Sequence, residues 1–218
     1  MTDSHVINSR VSQSRMIDYF EKLNPGGDAA LDVQQFYRVV DRLDTLAHVT
    51  QVATEALDLA ARHGVDCEAA NLAALAHDLA AVVPAADMIA VAEGMGLRAD
   101  GADRAIPLLL HGPIAAAALV EKLDLRDRDV LNAVRYHSTL RAGASTLEKI
   151  IFLADKIAYD PTSPHDGEYV PALRAARSLD EAALVYLDFT LDNGWRYGWV
   201  LHPNAVAAYR DLAGRAAR

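Results

Sequence analysis

Six side chains in this chain have the types and the setting of metal ligands: His48, the adjacent pair His77 and Asp78, His111, His137 and Asp155. Five of them lie in or beside apolar, helix-forming sequence, as in AALAHDLA, LLLHGPIAA and FLADKIA. A polar group buried there without a partner costs on the order of several kcal/mol. A pair of divalent metal ions would compensate all six at once. The inventory is imidazole and carboxylate without thiolate, which suits iron, manganese or zinc better than a structural thiolate site. Six protein ligands exceed the four of one tetrahedral ion and fit two ions with positions left for water and substrate. Taken singly, each histidine is more often an ordinary hydrogen-bonded residue than a ligand; the set as a whole carries the reading. His5, His63, His165 and His202 stand in polar or helix-breaking contexts and are read as ordinary.

The elements that must position these residues read as helices. Apolar residues recur at helical spacing from Asp28 to about His63, through Leu46, Val49, Val52, Ala53, Ala56 and Ala60, as one long helix or two with a bend. Gly64 is the expected stop. Asp66 opens a helix expected to carry His77 and Asp78 on to Pro84. Neighbouring helix positions diverge by about 100°, so His77 and Asp78 are expected to flank a metal pair, with Asp78 spanning both ions. His111 sits at a helix junction before Gly112-Pro113. His137 ends a helix opened near Arg126. Ser145 and Glu148 form a capping box ahead of the helix carrying Asp155, and Ser178 with Glu181 forms another. Residues 96–104 and 159–169 read as loops, and Pro203 begins a last helix. No period-2 strand is convincing, so the fold class is all-α. A short helical extension over 1–27, partly disordered, precedes one domain over 28–218.

The formal net charge of −9 argues against a nucleic-acid groove or an anionic membrane as the main partner, while a bound metal pair would reverse the sign locally. The single cysteine, Cys67, excludes an intramolecular disulfide. No apolar run reaches the roughly 20 residues of a membrane span. The expectation is a cytoplasmic protein acting on a small phosphorylated substrate, with a homodimer allowed by Ala-rich helix faces such as IAAAALV.

The series His48, His77-Asp78, His111, His137 and Asp155, in the segments AALAHDLA, LLLHGPIAA, AVRYHSTL and LEKIIFLADKIAYD, resembles the HD-domain metal-dependent phosphohydrolases. The nearer likeness is to the YqeK family of bacterial diiron hydrolases, which split diadenosine tetraphosphate into two ADP. The likeness spans about residues 42–190. It implies an HD-type helical bundle, two divalent ions, iron first and manganese or zinc as alternatives, and a bimetal-activated hydroxide attacking a nucleotide. It also implies that His48, His77, Asp78 and Asp155 surround one ion, and that Asp78, His111 and His137 hold the other. The chain departs from the family at Ala81, where a lysine is common, and in YDPTSPHDGEY, where an arginine is common.

Cationic helpers for phosphate are therefore sought elsewhere. Lys156 and Arg135 are the first candidates for a catalytic role beside Asp78, with Arg141 and Lys149 behind them. The alternatives are an HD-fold mixed-valent diiron oxygenase, or a nucleotide-sensing module with an inactive site. Trp195, Tyr197 and Trp199 form an aromatic cluster that reads as core or interface before it reads as a base-stacking platform.

Overall fold

The computed structural model describes residues 19–158, 166–198 and 200–217, and every regular element within them is helical. In chain order these are α1 (Ala29–Val39), α2 (Leu43–His63), α3 (Cys67–Ala76), α4 (Met88–Gly94), α5 (Gly101–Ala105), α6 (His111–Leu123), α7 (Arg128–Tyr136), α8 (Thr146–Ile157), α9 (Asp166–Ala175), α10 (Leu179–Tyr197) and α11 (Pro203–Ala216). Two 3₁₀ turns, Leu79–Val82 and Pro107–Leu110, join α3 to α4 and α5 to α6. Most of the 1–27 extension and of the 159–169 loop lies outside the described residues, as do all of Trp199 and the side chains of Trp195 and Tyr197.

The centre of the molecule is built from α2, α3, α7 and α8, which pack on one another, with α6 against α7 and the Leu79–Val82 turn. Their inward faces supply the core: Val49, Val52 and Ala56 from α2, Ala70 and Ala73 from α3, Ile150, Ile151 and Phe152 from α8. α10 covers α8 from outside, and α11 rests on α10. Small Ala side chains let these axes approach closely, which brings residues on separate helices within reach of one ion.

The stretch from Asp28 to His63 is two helices. The break lies at Val40–Arg42, where Asp41 takes a left-handed backbone (φ 56°). Gly64 closes α2 in the left-handed conformation (φ 66°), as expected of a C-terminal glycine. The Ser145–Glu148 capping box forms in full. At Ser178 only one half forms: its hydroxyl accepts from the Glu181 amide, while the Glu181 carboxylate turns to the Arg177 amide. The expected loop at 96–104 contains the five-residue α5, opened by a capping box between Asp100 and Asp103.

The helix from Asp66 is shorter than its sequence suggested. It ends at Ala76, His77 is its C-cap, and Asp78 has left the helical conformation (φ −99°, ψ 18°) before the 3₁₀ turn begins. The run from Ala70 to Val83 is buried on nearly every side. A run apolar on all faces carries no periodicity to mark its end.

Candidate metal centre

His77, His111 and His137 share one local device. Each stands at a helix end: His77 caps α3, His111 joins the Pro107–Leu110 turn to α6, and His137 caps α7. The last carbonyls of a helix lack partners within it. Each imidazole supplies one from its own Nδ1–H, to the carbonyl three residues back: His77 to Ala74 at 2.7 Å, His111 to Leu108 at 2.5 Å, His137 to Val134 at 2.8 Å. A carbonyl only accepts, so Nδ1 carries the proton and Nε2 is the atom aimed inward. This orientation of the ring through its outer nitrogen is what metal-binding histidines use.

The six side chains converge. Asp78 lies between two groups, with Oδ1 3.3 Å from His111 Nε2 and 3.8 Å from His137 Nε2, and Oδ2 3.6 Å from His77 Nε2 and 3.8 Å from His48 Nε2. Asp155 Oδ1 lies 3.2 Å from His48 Nε2 and 3.5 Å from His77 Nε2. The ligand atoms of His48, His77 and Asp155 all fall within 4.8 Å of one another, and so do those of His77, Asp78 and His137. Because Asp78 has left the helix, the roughly 100° separation expected of adjacent helical residues does not apply, and its carboxylate meets the His77 nitrogen directly.

Two observations test whether divalent ions fit. His77 is 0% exposed, and its Nε2 is buried without a hydrogen-bond partner. Such an atom carries a desolvation cost that an ion would remove. His111 Nε2 and His137 Nε2 lie 2.8 Å apart, and with both Nδ1 atoms protonated the two facing nitrogens offer lone pairs to each other. A shared cation resolves that opposition. The residues present fit a pair of ions.

Charge is balanced locally. Lys156 Nζ lies 2.5 Å from Asp155 Oδ2 and 3.4 Å from the His137 carbonyl, over the rings of Phe152 and Tyr186. Burial would raise the Asp155 carboxyl, but Lys156, His48 and His77 hold it well below the usual carboxylate range. Burial would likewise raise Asp78, and His77, His111 and His137 hold it down. Burial would lower His77, yet the charge of Asp78 and the contact with Asp155 carry it up to about 9. His137 goes the other way, pushed well below its ordinary value by burial and by the charges of His111 and His77.

The basic candidates separate. Arg141 makes a two-pronged pair with the buried Glu148, at 2.6 and 2.7 Å, and Lys149 pairs with Asp180 at 2.6 Å, so both are engaged in structural ion pairs. Lys156 is bound to Asp155. Arg135 has no carboxylate partner among the described residues and lines a polar cavity beside the centre together with Arg98, Ser138 and the carboxylates Asp100 and Asp103. Ser138 had not been singled out; its Oγ lies 3.0 Å from His137 Nε2 and 3.3 Å from His111 Nε2. A serine beside a histidine is too common a pair to have marked it. His202, read as ordinary, sits 3.6 Å from both Asp100 and Asp103. Those carboxylates cap α5, and His202 Nδ1 accepts from the Asn204 amide, so the group ties α11 to the α5 turn.

Comparison with known proteins gives consistent findings. The HD domain family matches residues 45–160. A symmetrical bis(5'-nucleosyl)-tetraphosphatase of Bacillus subtilis (strain 168) is 36% identical over 165 residues, covering 76% of this chain and 87% of that protein. The protein of the same name from Halalkalibacterium halodurans is 32% identical over 169 residues, with the same coverage. A crystal structure described as an HD superfamily hydrolase involved in NAD metabolism, from Clostridium acetobutylicum, superposes with a TM-score of 0.72 at 30% identity, over 93% of this chain and 97% of that one.

Proposed function

Because the chain belongs to the HD-domain family and is an HD-domain hydrolase, we propose that it cleaves a dinucleoside polyphosphate at a centre of two divalent ions, iron first among them. The observation that carries this reading is the convergence of six ligands around the buried, unpartnered Nε2 of His77. His48, His77 and Asp155 would hold one ion, His111 and His137 the other, and Asp78 one oxygen toward each. When bound, such ions supply Lewis acidity, lowering the pKa of a water and neutralising phosphoryl charge.

The chain's own residues supply the rest. The three Nδ1–H bonds to backbone hold the imidazoles in register, so that little reorganisation accompanies reaction. Lys156 fixes the Asp155 rotamer through Oδ2 and leaves Oδ1 facing the histidines. Arg135, without a carboxylate partner among the described residues, would meet phosphate oxygens at the edge of the centre. Ser138 Oγ–H, now shared between two imidazole nitrogens, would turn to a phosphoryl oxygen once those nitrogens are occupied.

The test is metal analysis of protein purified without chelator, followed by anaerobic turnover of a nucleotide panel with Fe(II), Mn(II) or Co(II). The expected result is two equivalents of metal and hydrolysis of dinucleoside tetraphosphate to two nucleoside diphosphates. A strict requirement for O2, or one equivalent or less of metal unaffected by His77→Ala, would overturn it.

A further inference from the structure

Tyr37 is fully buried in the last turn of α1, outside the residues 45–160 that match the family. α1 packs on α3, and its buried face carries Val33, Phe36 and Tyr37. The Tyr37 hydroxyl donates to the Leu75 carbonyl at 3.2 Å. Burial and the negative charge of Asp78 push this phenol well above its ordinary value, so it keeps its proton and stays a donor. The acceptor is the informative part. In an α-helix each carbonyl takes the amide four residues on, so a longer α3 would give the Leu75 carbonyl to the Leu79 amide. α3 stops at Ala76 instead, and Leu79 opens the 3₁₀ turn. The last four carbonyls of a helix are left without such partners. Here His77 Nδ1–H answers that of Ala74, and the Tyr37 hydroxyl answers that of Leu75. Both residues are buried, where an unanswered carbonyl would be costly. The turn beyond forms its own bond, from the Ala81 amide to the Asp78 carbonyl at 2.9 Å.

The place of this break decides where the shared carboxylate points. In a continuous helix the side chains at 77 and 78 would diverge by about 100°. With Asp78 at φ −99° and ψ 18°, its Oδ2 lies 3.6 Å from His77 Nε2 and its Oδ1 3.3 Å from His111 Nε2. One more residue of α3 would return Asp78 to helical backbone and turn its carboxylate away from His77. The apolar run from Ala70 to Val83 does nothing to oppose that extension, because helix-forming Ala and Leu fill it. A donor from another helix, fixed on the Leu75 carbonyl, opposes it. Phe36 offers the contrast. It is as buried as Tyr37 and stacks on Phe20 with ring centroids 6.2 Å apart, but it has no donor to give to α3.

We propose that Tyr37 is a positioning residue of the metal centre: its hydroxyl ends α3 at Ala76 and so sets the Asp78 carboxylate between the two groups of histidines. The inference rests on the two-ion reading of that centre, in which Asp78 gives one oxygen to each ion. The experiment compares Tyr37→Phe with Phe36→Leu in the full-length chain. In metal-free protein, the Asp78 Cα chemical shift of Tyr37→Phe is expected to move toward the helical value. Its affinity for Co(II) is expected to fall about 10–100-fold, as for loss of other groups that orient ligands. Its kcat for diadenosine tetraphosphate is expected to fall about tenfold, with KM changed by less than about threefold. Phe36→Leu is expected to lower the Tm while leaving the Asp78 shift and the Co(II) affinity as in the unaltered chain. An unmoved Asp78 shift and full Co(II) affinity in Tyr37→Phe would overturn the proposal. So would equal losses in both variants, which general destabilisation would produce. An unfolded Tyr37→Phe beside a folded Phe36→Leu would overturn it too, since the hydroxyl would then hold the fold and not the carboxylate. Unaltered protein that binds one equivalent of Co(II) or none would sink the two-ion reading instead, and the Asp78 shift in the metal-free variant would still decide the role of Tyr37.

Discussion

Replacing Gly112 with alanine tests the packing that holds half of the metal centre. Gly112 is buried in the first turn of α6, beside His111. A Cβ added there would lie 2.8 Å from the Arg135 carbonyl oxygen, 3.0 Å from that of Val134 and 3.2 Å from His137 Nδ1. Two of these neighbours are backbone at the end of α7, so no side chain can swing aside and α6 must move from α7 by several tenths of an ångström. Overpacking of this kind costs about 1–3 kcal/mol, against a gain of about 1 kcal/mol for alanine over glycine in a helix. The net expectation is a loss of up to about 2 kcal/mol, or up to roughly 8 °C in the Tm of a domain this size. The Val134 carbonyl is also the acceptor that orients His137. Disturbing such a bond weakens metal binding by about 10–100-fold. Calorimetry of metal-free protein reads the first effect and competitive Co(II) titration the second. Gly214, in α11, is the control: nothing lies within 4 Å of its added Cβ, and Gly214→Ala should stabilise by about 0.5–1 kcal/mol. If Gly112→Ala behaves like Gly214→Ala, with an equal or higher Tm and undiminished affinity, the steric argument is wrong.

His48→Ala and His137→Ala should each reduce bound metal from two equivalents to one, measured by mass spectrometry of metal in protein purified without chelator; loss of both ions from either variant would mean that the sites do not fill independently. Metal affinity should rise with pH toward about 9, since His77 keeps a proton to that value and must shed it to bind; an affinity flat from pH 6.5 to 9 would contradict this. The same shift stabilises the metal-free protein fully below the unfolded histidine value near 6.5 and is lost as pH rises to about 9, so the metal-free Tm should fall across that window while the loaded Tm does not. Leu140→Gly should destabilise, because relief of the left-handed backbone (φ 56°) returns about 1–2 kcal/mol while loss of a fully buried leucine side chain costs about 2–5 kcal/mol; a raised denaturation midpoint would reverse that ordering.

The helical class, and the six side chains that converge in the structure, were legible because they depend on residue type and on local periodicity. His48 shows this best: it lies in an amphipathic helix whose buried face, Val49, Val52 and Ala56, is written at regular spacing. Where periodicity fails, so did the reading. The segment from Ala70 to Val83 is buried on nearly every side, and no periodicity in it marks that α3 stops before His77. Gly112 was visible only as part of a motif, since the reason for it is a carbonyl on α7, more than twenty residues away. Ser138 was missed for a related reason, and the partners of His202, read as an ordinary residue, were not foreseen. Their partners come from packing between helices, and a serine or a histidine in a turn has many ordinary uses.

The helix-end position of three of the histidines explains how so polar a cluster sits inside so apolar a bundle. A buried imidazole must satisfy two nitrogens, and a helix end leaves carbonyls without partners. Placing His77, His111 and His137 at such ends cancels one need against the other before any metal arrives. What remains is charge. Two partly buried carboxylates, Asp78 and Asp155, face Lys156 and the protonated His77, so the pairs oppose one another and the desolvation cost is largely offset within the site. The expectation is that folding does not wait on metal as it does in small domains held together by zinc, which a cooperative thermal transition of the metal-free protein would show. Ions bound there would take the place of the His77 proton and lie between the facing nitrogens of His111 and His137, the two features that the apolar core and the helix ends leave unresolved.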